Sequence, residues 1–406
     1  MKKIEGGVTA ANGYQAAGIY AGIKKKRKDM ALVYSVVPAK GAGTFTTNVV
    51  KAAPVKWDMK VTKESPFVQA VVLNSGVANA CTGFEGDINN EQMANAVAEV
   101  LNIPKDAVYT ASTGVIGKQL PMAVINEGVK LLANALEEGL QAGGMAAEAI
   151  MTTDTYPKEC AVSFTVGGKE VKLGGMAKGS GMIHPNMATM LGVVTTDLNI
   201  SKELLQEALS ADVKISFNMI SVDRDTSTND SLLILANGLA GNIEITEKNE
   251  DYDAFCKALN YVTTELSKKM AADGEGATKL FEVEVVGAPS WEEASVLSKS
   301  IITSNLVKTA VFGNDANWGR ILCAMGYSGV DFDPDQVDLY IESVDGCLKL
   351  VENGMATDYS EEFATKILSG KEVKAIADLK TGPAKATAWG CDFSYDYVKI
   401  NADYRS

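Results

Sequence analysis

Apolar runs of strand length alternate along this chain with stretches of helix period, and the runs close on small, turn-forming residues. Val68 to Leu73 reads as a buried strand running into a loop, Asn74-Ser75-Gly76. Met93, Val97 and Leu101 then fall on one face of a helix over Glu91 to Leu101. Ala107 to Ala111 reads as a second strand, ending in Ser112-Thr113-Gly114, and Val124 to Leu136 as another helix. Cys160 to Val166 alternates, Gly167-Gly168 supplies a tight turn, and Glu170 to Leu173 returns as a hairpin. A glycine-rich loop over Gly174 to Gly181 follows, then a buried strand at Thr189 to Thr195. Leu204 to Ile215 and Tyr252 to Met270 predict helices around a strand at Leu232 to Leu235. Beyond about Phe281, strands and helices recur, with Val337 to Ile341 and Val398 to Ala402 as the clearest strands. The order predicts a mixed α/β chain. At 406 residues it exceeds one small core, so two or three structural units are expected.

Charge narrows the function. Lys plus Arg number 38 against 51 Asp plus Glu, a net charge of −13. Such a surface repels nucleic-acid phosphates, so no nucleic-acid partner is expected. The one basic block, Lys24-Lys25-Lys26-Arg27-Lys28, is either an anion-binding patch or a solvated turn before a strand at Met30 to Val33. The acidity of the rest favours the turn. No run of 18 apolar residues predicts a membrane span, and the two N-terminal lysines lack the apolar stretch of an export signal. The expected setting is cytoplasmic, with the six cysteines reduced and too widely spaced for a zinc pattern.

A single histidine, His184, excludes further mechanisms. No His-based metal site can be built within the chain, and no metal is expected. A Ser-His-Asp triad would have to use this one residue, whose backbone is restricted by Pro185. A lone histidine reads first as structural. Gly114-Val115-Ile116-Gly117-Lys118 looks like the end of a phosphate loop, but Ser112 and Gln119 break the pattern on either side. A G-x-S-x-G elbow is absent.

Chemistry without histidine is available at Thr189. The segment Lys178 to Asp197 runs from a glycine-rich loop through Asn186-Met187-Ala188 to Thr189. Cutting the Ala188-Thr189 bond would give Thr189 a free α-amine beside its own hydroxyl. An α-amine has a reference pKa of about 7.7–8 and can serve as base for that hydroxyl. The same hydroxyl can make the cut by attacking the Ala188 carbonyl, with water resolving the ester. Without further information, a glycine-rich loop before a strand reads as a connection.

The segment resembles the cleavage region of the ornithine acetyltransferase (glutamate N-acetyltransferase) family of arginine biosynthesis. The resemblance extends over most of the chain. It includes Gly6-Gly7-Val8-Thr9-Ala10-Ala11, Thr46-Thr47-Asn48 with Lys51-Ala52-Ala53-Pro54-Val55, and Asn74-Ser75-Gly76 with Ala78-Asn79-Ala80-Cys81-Thr82-Gly83. It continues at Asp223-Arg224-Asp225-Thr226-Ser227-Thr228-Asn229-Asp230 and at Gly313-Asn314-Asp315-Ala316-Asn317-Trp318-Gly319-Arg320. Val77 departs from the Asn expected of many members.

The resemblance implies stacked β-sheets between helices, of N-terminal-nucleophile type, with a catalytic domain over about 1–280 and a C-terminal α/β domain over about 281–406. It implies cleavage at Ala188-Thr189 into an α chain, 1–188, and a β chain, 189–406, assembling as a heterotetramer of two α and two β. Thr189 would be the nucleophile, Thr113 and Gly114 the oxyanion pair, and Thr152, Lys178, Thr189, Glu275, Asn401 and Ser406 the substrate-binding residues. The implied reaction carries an acetyl group from N-acetylornithine to glutamate with no cofactor. Whether acetyl-coenzyme A is also a donor stays open. Read alone, Thr113 is a turn residue, Thr152 a helix-end polar residue, Lys178 a loop lysine and Glu275 a solvated acid, while Asn401 and Ser406 belong to a frayed C-terminus. Two other functions fit the same residues: an N-terminal-nucleophile aminopeptidase or amidohydrolase, and a non-catalytic small-molecule binding protein.

Overall fold

The structure, a computed structural model, describes residues 1–184 and 190–403. The chain forms two compact units, each built from several stretches. The first contains Met1–Gly179, Pro185–Asn218 and Thr226–Leu266; the second contains Ser180–His184, Met219–Asp225 and Ser267–Ser406.

In chain order the first unit carries β1 (Lys2–Ile4), β2 (Tyr14–Ile19), β3 (Met30–Phe45), α1 (Ala53–Glu64), β4 (Val68–Val77), α2 (Gly83–Leu101) and β5 (Val108–Val115). It continues with α3 (Met122–Asn134), α4 (Leu140–Ala149), β6 (Lys158–Val166), β7 (Lys169–Lys178), β8 (Leu191–Thr196) and α5 (Lys202–Ile215). The short β9 (Ile220–Ser221) belongs to the second unit, β10 (Ser231–Ala236) to the first, and α6 (Glu250–Ala272) contributes to both. The second unit continues with β11 (Leu280–Ala288), α7 (Trp291–Thr303), α8 (Asn305–Phe312), α9 (Trp318–Gly326), β12 (Asp338–Ser343) and β13 (Gly346–Glu352). Last come β14 (Met355–Ala356), α10 (Glu361–Leu368), β15 (Glu372–Asp378), β16 (Ala384–Cys391) and α11 (Tyr395–Ala402).

Among the described residues, the strands of the first unit join in the order β1-β6-β7-β8-β10-β3-β4-β5, with β2 also on β3. The long β3 makes the joint. Its Lys40 to Phe45 pair with β10, whereas Met30 to Tyr34 pair with both β2 and β4. Side chains of β4 alternate between two cores. Ala70 and Val72 pack with Met93 and Val97 of α2 and with Ile125, Val129 and Leu132 of α3. Val71 and Leu73 face the other way, into a cluster with Ala142 and Ala146 of α4 and Met176, Val193 and Leu233 of β7, β8 and β10. A strand covered on both faces needs an unbroken apolar run, which is what 68–73 supplies. In the second unit the strand order is β14-β13-β12-β15-β11-β16-β9, and α7 packs on β11 and β16. The fold is mixed α/β, as expected.

Several local expectations are corrected. Asn74-Ser75-Gly76 and Ser112-Thr113-Gly114 are not loops: β4 and β5 continue through them, because their parallel pairing carries on to Gly76 and Val115. The supposed glycine-rich loop is β7 as far as Lys178. A Cβ at Gly174 would lie 2.0 Å from the Gly7 carbonyl oxygen, so that glycine serves a close approach between backbones. The strand expected at Thr189 to Thr195 is observed as β8, Leu191–Thr196, and Thr189 lies outside the described residues. Val398 to Ala402 is helix, not strand. Ser394 caps it by accepting from the Asp396 N–H, and Val398 is 62% exposed, so no buried face imposes the strand period. No helix among the described residues is long and apolar enough to cross a membrane.

Candidate active site

Thr113 and Gly114 stand at the end of β5, where it meets β4 most closely. Ser75 faces Thr113 and Gly76 faces Gly114, with φ of +106° at Gly76 and +130° at Gly114. A Cβ on Gly114 would sit 2.4 Å from the Gly76 carbonyl carbon and 2.7 Å from its Cα. Only glycine fits. The flanks are fixed by buried polar contacts. Ser112 Oγ donates to Asn74 Oδ1 at 2.6 Å, and Asn229 Nδ2 donates to the carbonyls of Ala78 (2.6 Å) and Ser112 (2.8 Å). Such a network holds a backbone in one place because every alternative leaves buried polar groups unmet. Gly114→Ala should therefore force the two strands apart and displace this stretch of β5. If this stretch supplies the oxyanion donors that the resemblance implies, kcat should fall by on the order of 10²–10³-fold. Steady-state kinetics of the folded variant would check it; an unchanged kcat would remove this stretch from the chemistry.

Lys178, the last residue of β7, is 8% exposed and places Nζ 3.4 Å from Thr113 Oγ1. Thr152, half-buried, follows α4. The two are fastened through Asp154. One carboxylate oxygen accepts from the Thr152 N–H at 3.0 Å; the other accepts from the Gly179 N–H at 2.8 Å and from Lys158 Nζ at 2.7 Å. Asp154 and Lys158 have no exposed side-chain surface. Burial alone would raise the Asp154 pKa, but the charges of Lys178 and Lys158 outweigh it and hold the carboxyl well below its usual range. Asp154 is thus a fixed anion between two cations, and it orders both segments.

The basic block is a turn, as expected, but Lys24 is not solvated like its neighbours. Asp29, fully buried, accepts from the backbone N–H groups of Ala21 (2.6 Å), Gly22 (3.0 Å) and Lys24 (2.9 Å). The turn so locked sends Lys24 Nζ to the Met151 carbonyl at 2.9 Å. Burial lowers its pKa to about 8; Arg27 and Lys178 add to the effect, and Asp29 and Asp154 oppose it.

Within the second unit, Glu275 follows α6 and is 7% exposed, not a solvated acid. Its N–H donates to the Ser180 carbonyl at 2.9 Å, and Ser180 Oγ donates to the Asp273 carbonyl at 2.6 Å. A Cβ at Gly181 would meet the Glu275 carboxylate at 2.3–2.4 Å, so glycine there lets the acid lie on the backbone. Asn401 is helical, in α11, and its Nδ2 donates to Glu275 Oε2 at 2.7 Å. His184 Nδ1 lies 3.1 Å from Ser221 Oγ. Burial, with Lys299 and Arg224 nearby, pushes its pKa down to about 4, so the ring is neutral at pH 7. The structure therefore gathers Thr113, Gly114, Thr152 and Lys178 in one unit and Glu275 with Asn401 in the other. Ala188, Thr189 and Ser406 lie outside the described residues.

Comparison with known proteins decides the family. Residues 15–406 match the model of the ArgJ family. The chain belongs to the ArgJ family. The arginine biosynthesis bifunctional protein ArgJ of Thermotoga neapolitana is 51% identical over 395 residues, 97% of this chain and 99% of the relative. The protein of the same name from Caldanaerobacter subterraneus subsp. tengcongensis is 50% identical over 406 residues, the full length of both. A crystal structure of ArgJ from Bacillus halodurans is 47% identical, with a TM-score of 0.50, and covers 52% of this chain and 97% of its own.

Two groups in this ArgJ chain escaped the sequence reading. Asp154 stands in Met151-Thr152-Thr153-Asp154-Thr155, and its four-residue spacing from Lys158 was the available signal. Lys24 was visible only as one of five adjacent basic residues, and nothing in that run marks the one that turns inward.

Proposed function

We propose that the protein is a self-processing acetyltransferase of arginine biosynthesis, carrying an acetyl group from N-acetylornithine to glutamate. In maturation, Thr189 Oγ1 attacks the Ala188 carbonyl, the peptide C–N bond breaks and an ester forms. Water releases the ester, leaving 1–188 and 189–406 with a free amine on Thr189. In transfer, the amine takes the Thr189 hydroxyl proton as Oγ1 attacks the acetyl carbonyl of the donor. The donor amide bond breaks, and its nitrogen leaves with a proton as the α-amine of ornithine. The amine of glutamate then attacks the acetyl ester, and Thr189 recovers its hydroxyl.

The observation that carries this reading is the Thr113–Gly114 end of β5 with Lys178 Nζ at 3.4 Å from Thr113, held by a buried Asp154. Donors at that end would meet the oxyanion that develops on the carbonyl. Lys178 and Thr152 would meet the donor carboxylate. Glu275, held by Asn401, has the charge to pair with an ammonium such as the donor's distal one, and Ser406 is a further substrate-binding residue that the resemblance implies. The Bacillus halodurans polypeptide supports the split: 52% of 406 residues spread over 97% of it makes it about 218 residues long, the length of 189–406. The relatives' name, bifunctional, supports a second activity, which in our reading is acetylation of glutamate with acetyl-coenzyme A as donor. The halves would assemble as two α and two β chains.

The test is product analysis with N-acetylornithine as donor. Glutamate should turn the reaction from negligible turnover to stoichiometric ornithine and N-acetylglutamate. Release of acetate at the same rate without glutamate would instead make the protein an amidohydrolase, and no turnover at all would make it a binding protein.

A further inference from the structure

In the basic block Lys28 folds back onto Glu148 of α4, whereas Lys24 runs along the end of β4. Three observations surround Lys24. Asp29 gathers the backbone N–H groups of residues 21, 22 and 24, which fixes where Lys24 departs from the chain. The Lys24 stem runs along the β4 end: its Cγ is 3.0 Å from where a Cβ of Gly76 would stand, and Gly76 is the residue facing Gly114. The ammonium then ends on the Met151 carbonyl, one residue before Thr152. A single side chain thus spans the end of β4, which supports Gly114, and the segment that presents Thr152. A solvated lysine would do neither.

We propose that Lys24 is a positioning residue of the acetyl-transfer site, holding the Met151–Thr152 segment beside the Gly76–Gly114 pair and keeping a second positive charge near Lys178. The proposal rests on the transfer reaction above and extends it to a residue outside the substrate-binding set. The groups facing Lys24 are Arg27 and Asp29 of its own turn, Lys178 of β7, and Asp154 of the loop after α4 with its partner Lys158. Lys24 and Lys178 leave an excess of positive charge where the donor carboxylate and the oxyanion would lie. A charge near such a site acts in a low dielectric and is worth more than in water. Because the Lys24 pKa lies at about 8, that charge is present at pH 7 and lost as the pH rises past about 8. The α-amine of Thr189 changes oppositely, becoming a better base over the same range.

The experiment compares wild type, Lys24→Met and Lys24→Arg for self-cleavage by intact mass, for thermal midpoint, and for kcat and KM of transfer from pH 6.5 to 9.5. Lys24→Met keeps most of the stem and should mature, but with kcat at least about tenfold lower at pH 7. Lys24→Arg keeps the charge at every pH tested, should restore most of the kcat, and should move the alkaline fall in kcat upward by about one pH unit or more. A merely structural lysine would lower the thermal midpoint without moving that limb. If the matured Lys24→Met variant transfers within twofold of wild type, or if Lys24→Arg shows the wild-type alkaline limb, the proposal is wrong. Failure of the wild type itself to cleave and transfer would instead overturn the reaction on which it rests.

Discussion

Thr189→Ala should remain one 43.0 kDa chain and show no transfer above background. In the proposed reaction one hydroxyl performs both the cut and the acyl transfer, so the substitution removes two activities at once. It also removes the amine that acts as base, since that amine exists only after the cut. The chain has one histidine, His184, whose Nδ1 lies 3.1 Å from Ser221 Oγ. Losses on removing a nucleophile from a working constellation run to on the order of 10³-fold or more. Thr189→Ser keeps the hydroxyl and the amine and loses only the β-branch that restricts χ1. It should mature and turn over, more slowly. Mass spectrometry and a transfer assay on the same preparations read both. Processing or turnover in Thr189→Ala would end the assignment.

Asp154→Asn should produce the largest loss of stability, about 3–5 kcal/mol, because it removes the counter-charge of a fully buried Lys158. The cost of burying Lys158 is then no longer offset by a carboxylate 2.7 Å away. The double variant Asp154→Asn with Lys158→Met should recover part of that loss, since removing both charges also removes the desolvation cost. The pH dependence has a definite sign. Asp154 is held below its unfolded value, so its contribution is complete above about pH 4, the unfolded carboxyl range, and is lost only as pH falls through the folded value. Urea denaturation should therefore show the full wild-type advantage from pH 5 to 8 and a shrinking one in strong acid. An advantage that vanished near neutral pH would contradict the ion-pair account. Transfer should suffer as well, because Thr152 and Gly179 lose their common anchor.

The sequence made the alternation of strands and helices legible where a single face or both faces demanded apolar residues, as at Val68 to Leu73 and in α5, Lys202–Ile215. It was misleading where small polar residues stay in a sheet. Ser75, Gly76, Thr113 and Gly114 look like turns, yet strand pairing continues through them because the partner strand has the same small residues at the same level. Gly174 misled for a related reason, since it serves a close approach to the Gly7 backbone. Val398 to Ala402 misled because an exposed terminal helix has no buried stripe to give its period. For the site, the proposed nucleophile and its proposed partners came from the resemblance across many motifs. Asp154, which anchors the Thr152 and Gly179 N–H groups, and Lys24, which reaches the Met151 carbonyl, did not. The Asp154–Lys158 pair is only four residues apart, but its full burial depends on tertiary packing, as does the contact of Lys24 with Met151, 127 residues away.

The most direct test of self-processing at Thr189 is the intact mass of the purified protein under denaturing conditions, with N-terminal sequencing of each piece. Two polypeptides of about 20 and 23 kDa, the larger beginning at Thr189, are the predicted result, scaled from the 43.0 kDa chain. A single 43.0 kDa chain that nevertheless transfers acetyl groups at the normal rate would contradict the account.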